Sequence, residues 1–166
     1  MLIRTEAPAD ILPIEQLVTD YGDSDELPRA IRKLRQTGQM TLSLVACDDD
    51  GMIQGHLLFT ELALESTQSV QWLCALTLSP SFQRDGSLKE ALIEYGLETL
   101  SELSYSTCVT HQGAWWAYKS TADKIAVDKA DLDASHWAWL SLAPSSTSCP
   151  NNPSFLFSPE QKQLFV

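Results

Sequence analysis

Basic residues are scarce in this sequence. Only 11 of its 166 residues are Lys or Arg, against 22 Asp or Glu, and the formal net charge is −11. Such a chain lacks the positive surface that binds nucleic acid, and an anionic membrane would repel it. We therefore expect neither a nucleic-acid nor a membrane partner. A cationic or amine substrate is compatible with this charge.

Cysteines are few and far apart. Cys47, Cys74, Cys108 and Cys149 include no Cys-x-x-Cys pair, and none has a histidine placed to complete a zinc site. Cys47 and Cys74 fall within apolar strand patterns, where cysteine behaves as a small hydrophobic residue. Buried free thiols suit a reducing cytoplasm. The sequence thus predicts no metal centre and a cytoplasmic location.

Long hydrophobic runs are also missing. No stretch approaches the ~20 apolar residues of a membrane-spanning helix, and residues 1–5 lack the apolar core of a signal peptide. With 166 residues, 44% of them hydrophobic, the chain is long enough for one substantial core. We expect a single domain over residues 1–166.

The hydrophobic pattern predicts a mixed order of strands and helices. The strands are predicted at residues 2–5, 40–46, 52–64, 70–78, 105–110, 136–142 and 155–157, and the helices at 10–21, 27–37 and 87–103. Residues 40–78 form a three-strand meander in this pattern. The strand, helix and strand over residues 70–110 predict a crossover that returns parallel to its partner.

The pattern also predicts the positions of individual residues in three elements. Asp10 is expected to cap the first helix. A period of two places four residues on one face of the third meander strand, namely Trp72, Cys74, Leu76 and Leu78. Helical spacing places five residues on the inner side of the third helix, namely Leu88, Ala91, Leu92, Tyr95 and Leu100.

The most informative stretch is residues 76–88, in which an apolar strand ends at Ser79-Pro80 and a helix begins after Gln83-Arg84-Asp85-Gly86. Backbone N–H groups of a turn that leads into a helix converge on one point, and the helix dipole adds partial positive charge there. Such a loop binds an anion without Lys or Arg. The alternative is a plain loop with a capping box at Ser87 and Glu90.

This order of strand, Ser-Pro, Gln-x-x-Gly and helix resembles the acetyl-CoA loop of the GNAT N-acetyltransferases, Gln/Arg-x-x-Gly-x-Gly/Ala. Four shorter segments look like the YhbS-type branch of that superfamily, namely Ile3-Arg4-Thr5-Glu6-x-Pro8, residues 42–46, Gly55-His56 and Phe157-Ser158-Pro159. The order of elements over most of the chain also resembles the family plan. The resemblance implies a mixed α/β (α+β) domain with a central, mostly antiparallel, splayed sheet flanked by helices.

The resemblance also implies a function and a site. The function is acetyl-CoA-dependent N-acetyl transfer to a primary amine of a small molecule or peptide, with acetyl-CoA as co-substrate. The implied cofactor-binding residues are Gln83 and the backbone N–H groups of Arg84, Asp85, Gly86, Ser87 and Leu88, together with the backbone of Leu76 and Leu78 for pantetheine and the acetyl carbonyl.

Two residues of the loop depart from the family pattern. Leu88 stands where the family has Gly or Ala, and its bulk would narrow the pyrophosphate site. Asp85 brings a negative charge close to phosphate. These departures leave open a catalytically degenerate GNAT-like binding or interaction module, and the sequence does not exclude a longer acyl chain.

The acid and the base are marked less clearly. The family's Tyr-Tyr-x-x-Phe-Gly segment is replaced by residues 115–120, Trp-Trp-Ala-Tyr-Lys-Ser, so Tyr118 is the remaining candidate to protonate the thiolate. Glu61, near the end of the second meander strand, is the candidate base. Glu65 and His111 are alternatives, and water could relay the amine proton. The sequence leaves a homodimer open.

Overall fold

The computed structural model describes residues 1–65, 69–111, 123–125, 137–142 and 155–165. Its strands are β1 (Leu2–Thr5), β2 (Met40–Cys47), β3 (Ile53–Leu64), β4 (Ser69–Leu78), β5 (Thr107–Thr110), β6 (Asp123–Ile125), β7 (Trp137–Ser141) and β8 (Phe155–Leu156). Its α-helices are α1 (Ile11–Tyr21), α2 (Leu27–Gln36), α3 (Ser87–Glu102) and α4 (Pro159–Lys162). Helix α4 was not predicted.

The eight strands form one sheet in the order β1-β2-β3-β4-β5-β7-β6, with β8 beside the far end of β3. The strand pairs are antiparallel except β4 and β5, which run parallel and share two residue pairs, Gln71 with Cys108 and Trp72 with Val109. Strand β5 ends at Thr110, whereas β4 continues to Leu78. The sheet is therefore mostly antiparallel and opens between β4 and β5, which confirms the predicted fold class. That residues 1–166 form a single domain stays a prediction.

Helices cover both faces of the sheet. The α1–α2 face carries a core that includes Ile14, Ile31 and the β4 residue Trp72. The α3 face carries a second core, in which Leu92 and Leu97 of α3 pack with strand residues. Both faces of the central strands are thus buried, and β4 presents side chains to each of them.

Strand β4 contains a β-bulge at Cys74. Leu58 of β3 pairs with Ala75 and the following Phe59 pairs with Leu73, so Cys74 has no residue opposite it. An extra residue in one strand reverses the alternation of side chains beyond it. The prediction of a common face for Trp72, Cys74, Leu76 and Leu78 was therefore wrong, because the first two lie on the α1–α2 face and the last two on the α3 face.

The buried stripe of α3 is rotated from the predicted one. Its members are Leu88, Leu92, Ile93, Gly96, Leu97 and Leu100. Ala91 and Tyr95 are exposed instead. A Cβ at Gly96 would lie only 2.6 Å from a ring carbon of Phe59, so the helix meets β3 most closely at its glycine. Because this glycine has no side chain, a hydrophobic pattern could not identify it as the centre of the contact.

Asp10 does not cap α1 through its side chain. Its carboxylate accepts hydrogen bonds from the Arg4 guanidinium, at 2.6 and 3.1 Å, and from the Ala7 N–H at 2.7 Å. The bond from Arg4 contributes most to a lowered pKa of Asp10. Asp10 is the N-cap residue of α1 as predicted, but its side chain makes no bond to that helix and fastens β1 to the turn before α1 instead.

Candidate functional site

The loop between β4 and α3 brings backbone N–H groups to the start of a 16-residue helix. The chain makes one turn of 3-10 helix over Pro80–Phe82 and enters α3 through Gly86. Gly86 has φ of +75°, a left-handed conformation that favours glycine. A Cβ built on it would meet nothing within 4 Å. The surface beside Gly86 is therefore open to a ligand.

Asp85 already occupies part of this helix start. Its Oδ1 accepts hydrogen bonds from the N–H and from the hydroxyl of Ser87, both at 2.9 Å. The backbone bond from Ser87, followed by the hydroxyl bond, lowers the pKa of Asp85. The N-cap residue of α3 is Gly86, which has no side chain that could bond to the helix, and Ser87 is already the first helical residue. The alternative capping box at Ser87 and Glu90 is therefore wrong.

Leu88, the other residue that departs from the family pattern, lies in the protein interior and not at the exposed start of the helix. Its side chain is 5% exposed and packs in the core of the α3 face. The bulk of Leu88 is thus directed into the protein interior, and the expectation that it narrows the loop was wrong. A helix that begins at Ser87 turns its second residue towards the sheet.

The free edge of β4 lies next to the loop. The Ser79 N–H donates to the Gln54 oxygen of the β3 side at 2.9 Å. Because peptide groups alternate along a strand, those of Leu76 and Leu78 point to the opposite edge. Gln83 takes one of them, since its Nε2 donates to the Leu78 oxygen at 2.8 Å. In the described ranges, no strand pairs with this edge beyond Trp72.

A cleft of about 240 Å³ lies at this end of β4. It is lined by Tyr21, Asp23, Leu76, Thr77, Leu78, Gln83 and Lys89. Thr77 is 2% exposed, and its Oγ1 has no hydrogen-bond partner among the residues that the structure describes. Its side chain lies on the α1–α2 face, opposite to those of its two neighbours. The lining of the cleft thus includes one acidic and one basic side chain, Asp23 and Lys89, beside the buried Thr77.

His111 lies where β4 and β5 separate. Its Nδ1 accepts a hydrogen bond from Trp72 Nε1 at 3.1 Å, and its ring packs against Trp72 and Trp137 at centroid distances of 5.6 Å. Burial lowers the pKa of His111 to about 4, and the negative charge of Asp23 opposes this shift. His111 is therefore neutral at neutral pH, with its proton on Nε2. Asp23 is close enough to influence this imidazole as well as the cleft.

A second polar network lies under α2. His56 is fully buried, and its Nε2 lies 2.9 Å from the Ser43 hydroxyl, which in turn donates to a Glu6 carboxylate oxygen. Each carboxylate oxygen of Glu6 also accepts a bond of 3.1 Å from Arg35. Burial lowers the pKa of His56 to about 4, so the ring is neutral. The network connects β1, α2, β2 and β3 and does not reach the lining of the cleft.

Of the two candidate catalytic residues, Glu61 is described and does not line the cleft. Glu61 is exposed, accepts a hydrogen bond of 2.7 Å from the Ser69 hydroxyl and pairs in register with Gln71. That position is seven residues along β4 from Leu78, which is ~23 Å at the rise of a strand. Tyr118 lies outside the described residues. Catalytic roles for both stay predictions.

Sequence reasoning missed Tyr21, Asp23, Thr77 and Lys89 as lining residues. Tyr21 and Asp23 read only as the end of a helix, and no local signal shows that the α1–α2 connection folds over the end of β4. Among the described residues, no group of three or more His, Cys, Asp or Glu side chains is placed to hold a metal ion. In the same part of the chain, every helix is too short or too polar to span a bilayer.

Comparisons with known proteins agree with this architecture. No protein-family model matches the chain. The uncharacterized N-acetyltransferase YhbS of Escherichia coli strain K12 is 32% identical over 112 residues, which are 66% of this chain and 66% of that protein, just under two thirds of its length.

Two crystal structures share the fold over nearly the whole chain. The GNAT family N-acetyltransferase YhbS from Escherichia coli, in complex with CoA, matches with a TM-score of 0.75 and 24% identity over 93% of this chain and 89% of that one. A GNAT family acetyltransferase from Brucella melitensis, in complex with acetyl-CoA, matches with a TM-score of 0.73 and 22% identity over 96% of both chains.

Proposed function

Because this chain belongs to the GNAT superfamily of N-acetyltransferases, we propose that it transfers the acetyl group of acetyl-CoA to a primary amine of a small molecule or peptide. The observation that carries this proposal is the continuity of three features: the open start of α3 at Gly86, the free edge of β4 and the cleft beside them. Together they offer an anion site, a row of backbone hydrogen-bonding groups and a space for an acceptor.

In this proposal, the start of α3 binds the pyrophosphate of the cofactor. The backbone N–H groups of residues 84–88 would supply the donors, and the helix dipole adds partial positive charge. The Ser87 N–H would have to leave the Asp85 carboxylate to contribute. Lys89, half-buried in the first turn of α3, lines the cleft and adds a full positive charge at this end.

The free edge of β4 fits the amide groups of pantetheine. A ligand that lies alongside a strand forms main-chain hydrogen bonds in the manner of an added strand. Leu76 offers its N–H and C=O, and Leu78 offers its N–H. When bound, acetyl-CoA supplies the activated acyl group. The chain's own residues would hold that group beside the cleft and limit its contact with water.

The buried position of Leu88 favours a functional cofactor loop over a degenerate one. In a degenerate loop, a bulky side chain would occupy the surface that phosphate approaches. Here that surface is open beside Gly86.

Titration calorimetry with acetyl-CoA tests the cofactor part of this proposal. We expect binding in the micromolar range, and millimolar or absent binding would count heavily against an enzyme. Thiol release measured with a panel of primary amines tests the transfer. Cofactor binding without turnover of any amine in a broad panel would favour the binding module instead.

We expect Gly86→Glu to abolish acetyl-CoA binding, because it adds bulk and negative charge where phosphate approaches. Any side chain there also carries the strain of a positive φ. Gly51→Glu is a matched control, since Gly51 has φ of +79° and no neighbour within 4 Å of a built Cβ. The two variants should lose similar stability in thermal melts, and only Gly86→Glu should lose the cofactor. If calorimetry finds equal affinity in both folded variants, the loop is only a helix start.

A further inference from the structure

The cleft is lined by one basic and one acidic side chain, which come from different elements. Lys89 belongs to α3 and lies beside the loop that would bind the anionic cofactor. Asp23 belongs to the α1–α2 connection and approaches β4 from the other side of the sheet. An anionic cofactor and a cationic acceptor would each meet the opposite charge in this arrangement.

Two further observations concern the surroundings of Asp23 in the cleft. Thr77 presents a buried hydroxyl that has no partner within the described ranges, and such a group is costly to leave unsatisfied. His111, at the opening between β4 and β5, lies within the electrostatic range of the Asp23 carboxylate. Asp23 lines the same cleft as Leu76, Thr77 and Leu78, which lie on the part of β4 beyond its pairing with β5.

We propose that Asp23 binds the acceptor as a protonated primary amine and that this carboxylate selects cationic acceptors over neutral ones. The inference rests on the proposed function and names the acceptor-binding residue of that site. A carboxylate and an ammonium form a charge-assisted hydrogen bond, which is about twice as strong as a neutral one.

The chemistry balances with water as the proton acceptor. The bound ammonium loses one proton to water, and the nitrogen lone pair then forms the amide bond while the bond from the acetyl carbon to sulfur breaks. The nitrogen gives up a second proton and the departing thiolate takes up one. The net reaction releases one proton, and no proton passes to Asp23. Its role is to hold the amine beside the β4 edge before it loses its proton.

The test is an NMR titration of the histidine ring signals in the full chain loaded with CoA. The probes are diaminobutane and unblocked trialanine, with butanediol as the neutral counterpart of the diamine. His111→Gln assigns the His111 signal. We expect at least one amine to lower the pKa of His111 in the wild type, because a bound ammonium screens Asp23. Butanediol should have no effect.

Asp23→Asn should weaken amine binding by about tenfold, the loss of one charge-assisted hydrogen bond. It should also lower the pKa of His111 before any amine is added. Asp25→Asn is the matched control, because Asp25 is an exposed carboxylate of the same connection that lines a different groove, with Arg29 and Arg32. It should behave as the wild type does.

Three results would overturn the inference: no response of His111 to either amine, equal amine affinity in Asp23→Asn and the wild type, or an equal loss in Asp25→Asn. Failure of the proposed function gives a different result, since acetyl-CoA then does not bind to the wild type in calorimetry. The amine titration is repeated on the unloaded chain in that case, and a response that depends on Asp23 still supports a cation site.

Discussion

Leu88→Ala should lower the free energy of unfolding by about 3 kcal/mol, the usual cost of removing a buried leucine side chain from a packed core. Leu88 is 5% exposed and belongs to the same core as Leu78 and Leu92. For a chain of this length, the melting temperature should fall by roughly 6–12 °C. Exposed Glu positions on the later turns of α3 should tolerate alanine with little change, and Glu98→Ala is a suitable control.

The same position separates two views of the loop. If the Leu88 side chain obstructed the pyrophosphate site, Leu88→Gly would tighten CoA binding at a helix cost of only ~1 kcal/mol. Because the side chain is buried in the core, we expect no gain in affinity and a loss of stability larger than that of Leu88→Ala. Calorimetry with CoA and a thermal melt on this one variant decide between them. A tighter complex with a small melting shift would contradict the buried anchor.

Glu6→Gln should lower the free energy of unfolding by about 2–3 kcal/mol at neutral pH, because it leaves the half-buried Arg35 guanidinium without its carboxylate. Burial by itself would raise the pKa of Glu6. The hydrogen bonds from Arg35 and Ser43 and the charge of Arg35 outweigh burial, and the pKa is lowered from 4.5. Urea unfolding at neutral pH measures the difference between variant and wild type.

The pH dependence of that difference provides a second check. A carboxyl group whose pKa is lower in the folded state stabilises the fold above its unfolded pKa, and the contribution is lost as pH falls through the folded pKa. The difference between wild type and Glu6→Gln should therefore be constant near pH 7 and shrink below about pH 4.5. Other carboxylates also titrate in that range, so the quantity to follow is the difference.

Glu15→Gln is the control for Glu6→Gln. Glu15 pairs with Arg32 at 2.8 Å, but Arg32 is 52% exposed. An exposed ion pair contributes only ~0–1 kcal/mol. If Glu6→Gln and Glu15→Gln lose equal free energy of unfolding, burial does not strengthen the ion pair between Glu6 and Arg35.

Periodicity predicted the elements well where each residue occupies a regular position. Strand β1 and helix α1 begin and end within a residue of the prediction, and the β2-β3-β4 meander forms in the expected order. The bulge at Cys74 could not be predicted in this way. The extra residue is as apolar as its neighbours, so the hydrophobic pattern of the strand does not show it. Helix α4 did have a signal, since Ser158, Pro159 and Gln161 form a capping box with proline in the first turn.

The candidate site likewise has a part that the sequence predicts and a part that it does not. The loop from Gln83 to Leu88 is contiguous, so its strand, turn and helix could be predicted from the sequence. Asp23 and Lys89 are 66 positions apart along the chain. They line the same cleft because the end of α1 and the start of α3 lie near the same end of β4. No local sequence pattern predicts that these two residues line one cleft. The direction of the Leu88 side chain likewise depends on where the helix begins, which Gly86 sets through its positive φ.

The two-residue contact between β4 and β5 also sets where the sheet opens most easily. Few hydrogen bonds hold this seam, and the 16-residue α3 separates the two strands in sequence. Local opening there costs less than opening the β3–β4 ladder, so the β5 amides that face β4 should exchange hydrogen for deuterium sooner than those of β3. A molecule that lies along the free edge of β4 would bridge the seam. Slower exchange at Val109, whose N–H faces β4 because that of Cys108 faces β7, would then report occupancy of the cleft even when no product forms.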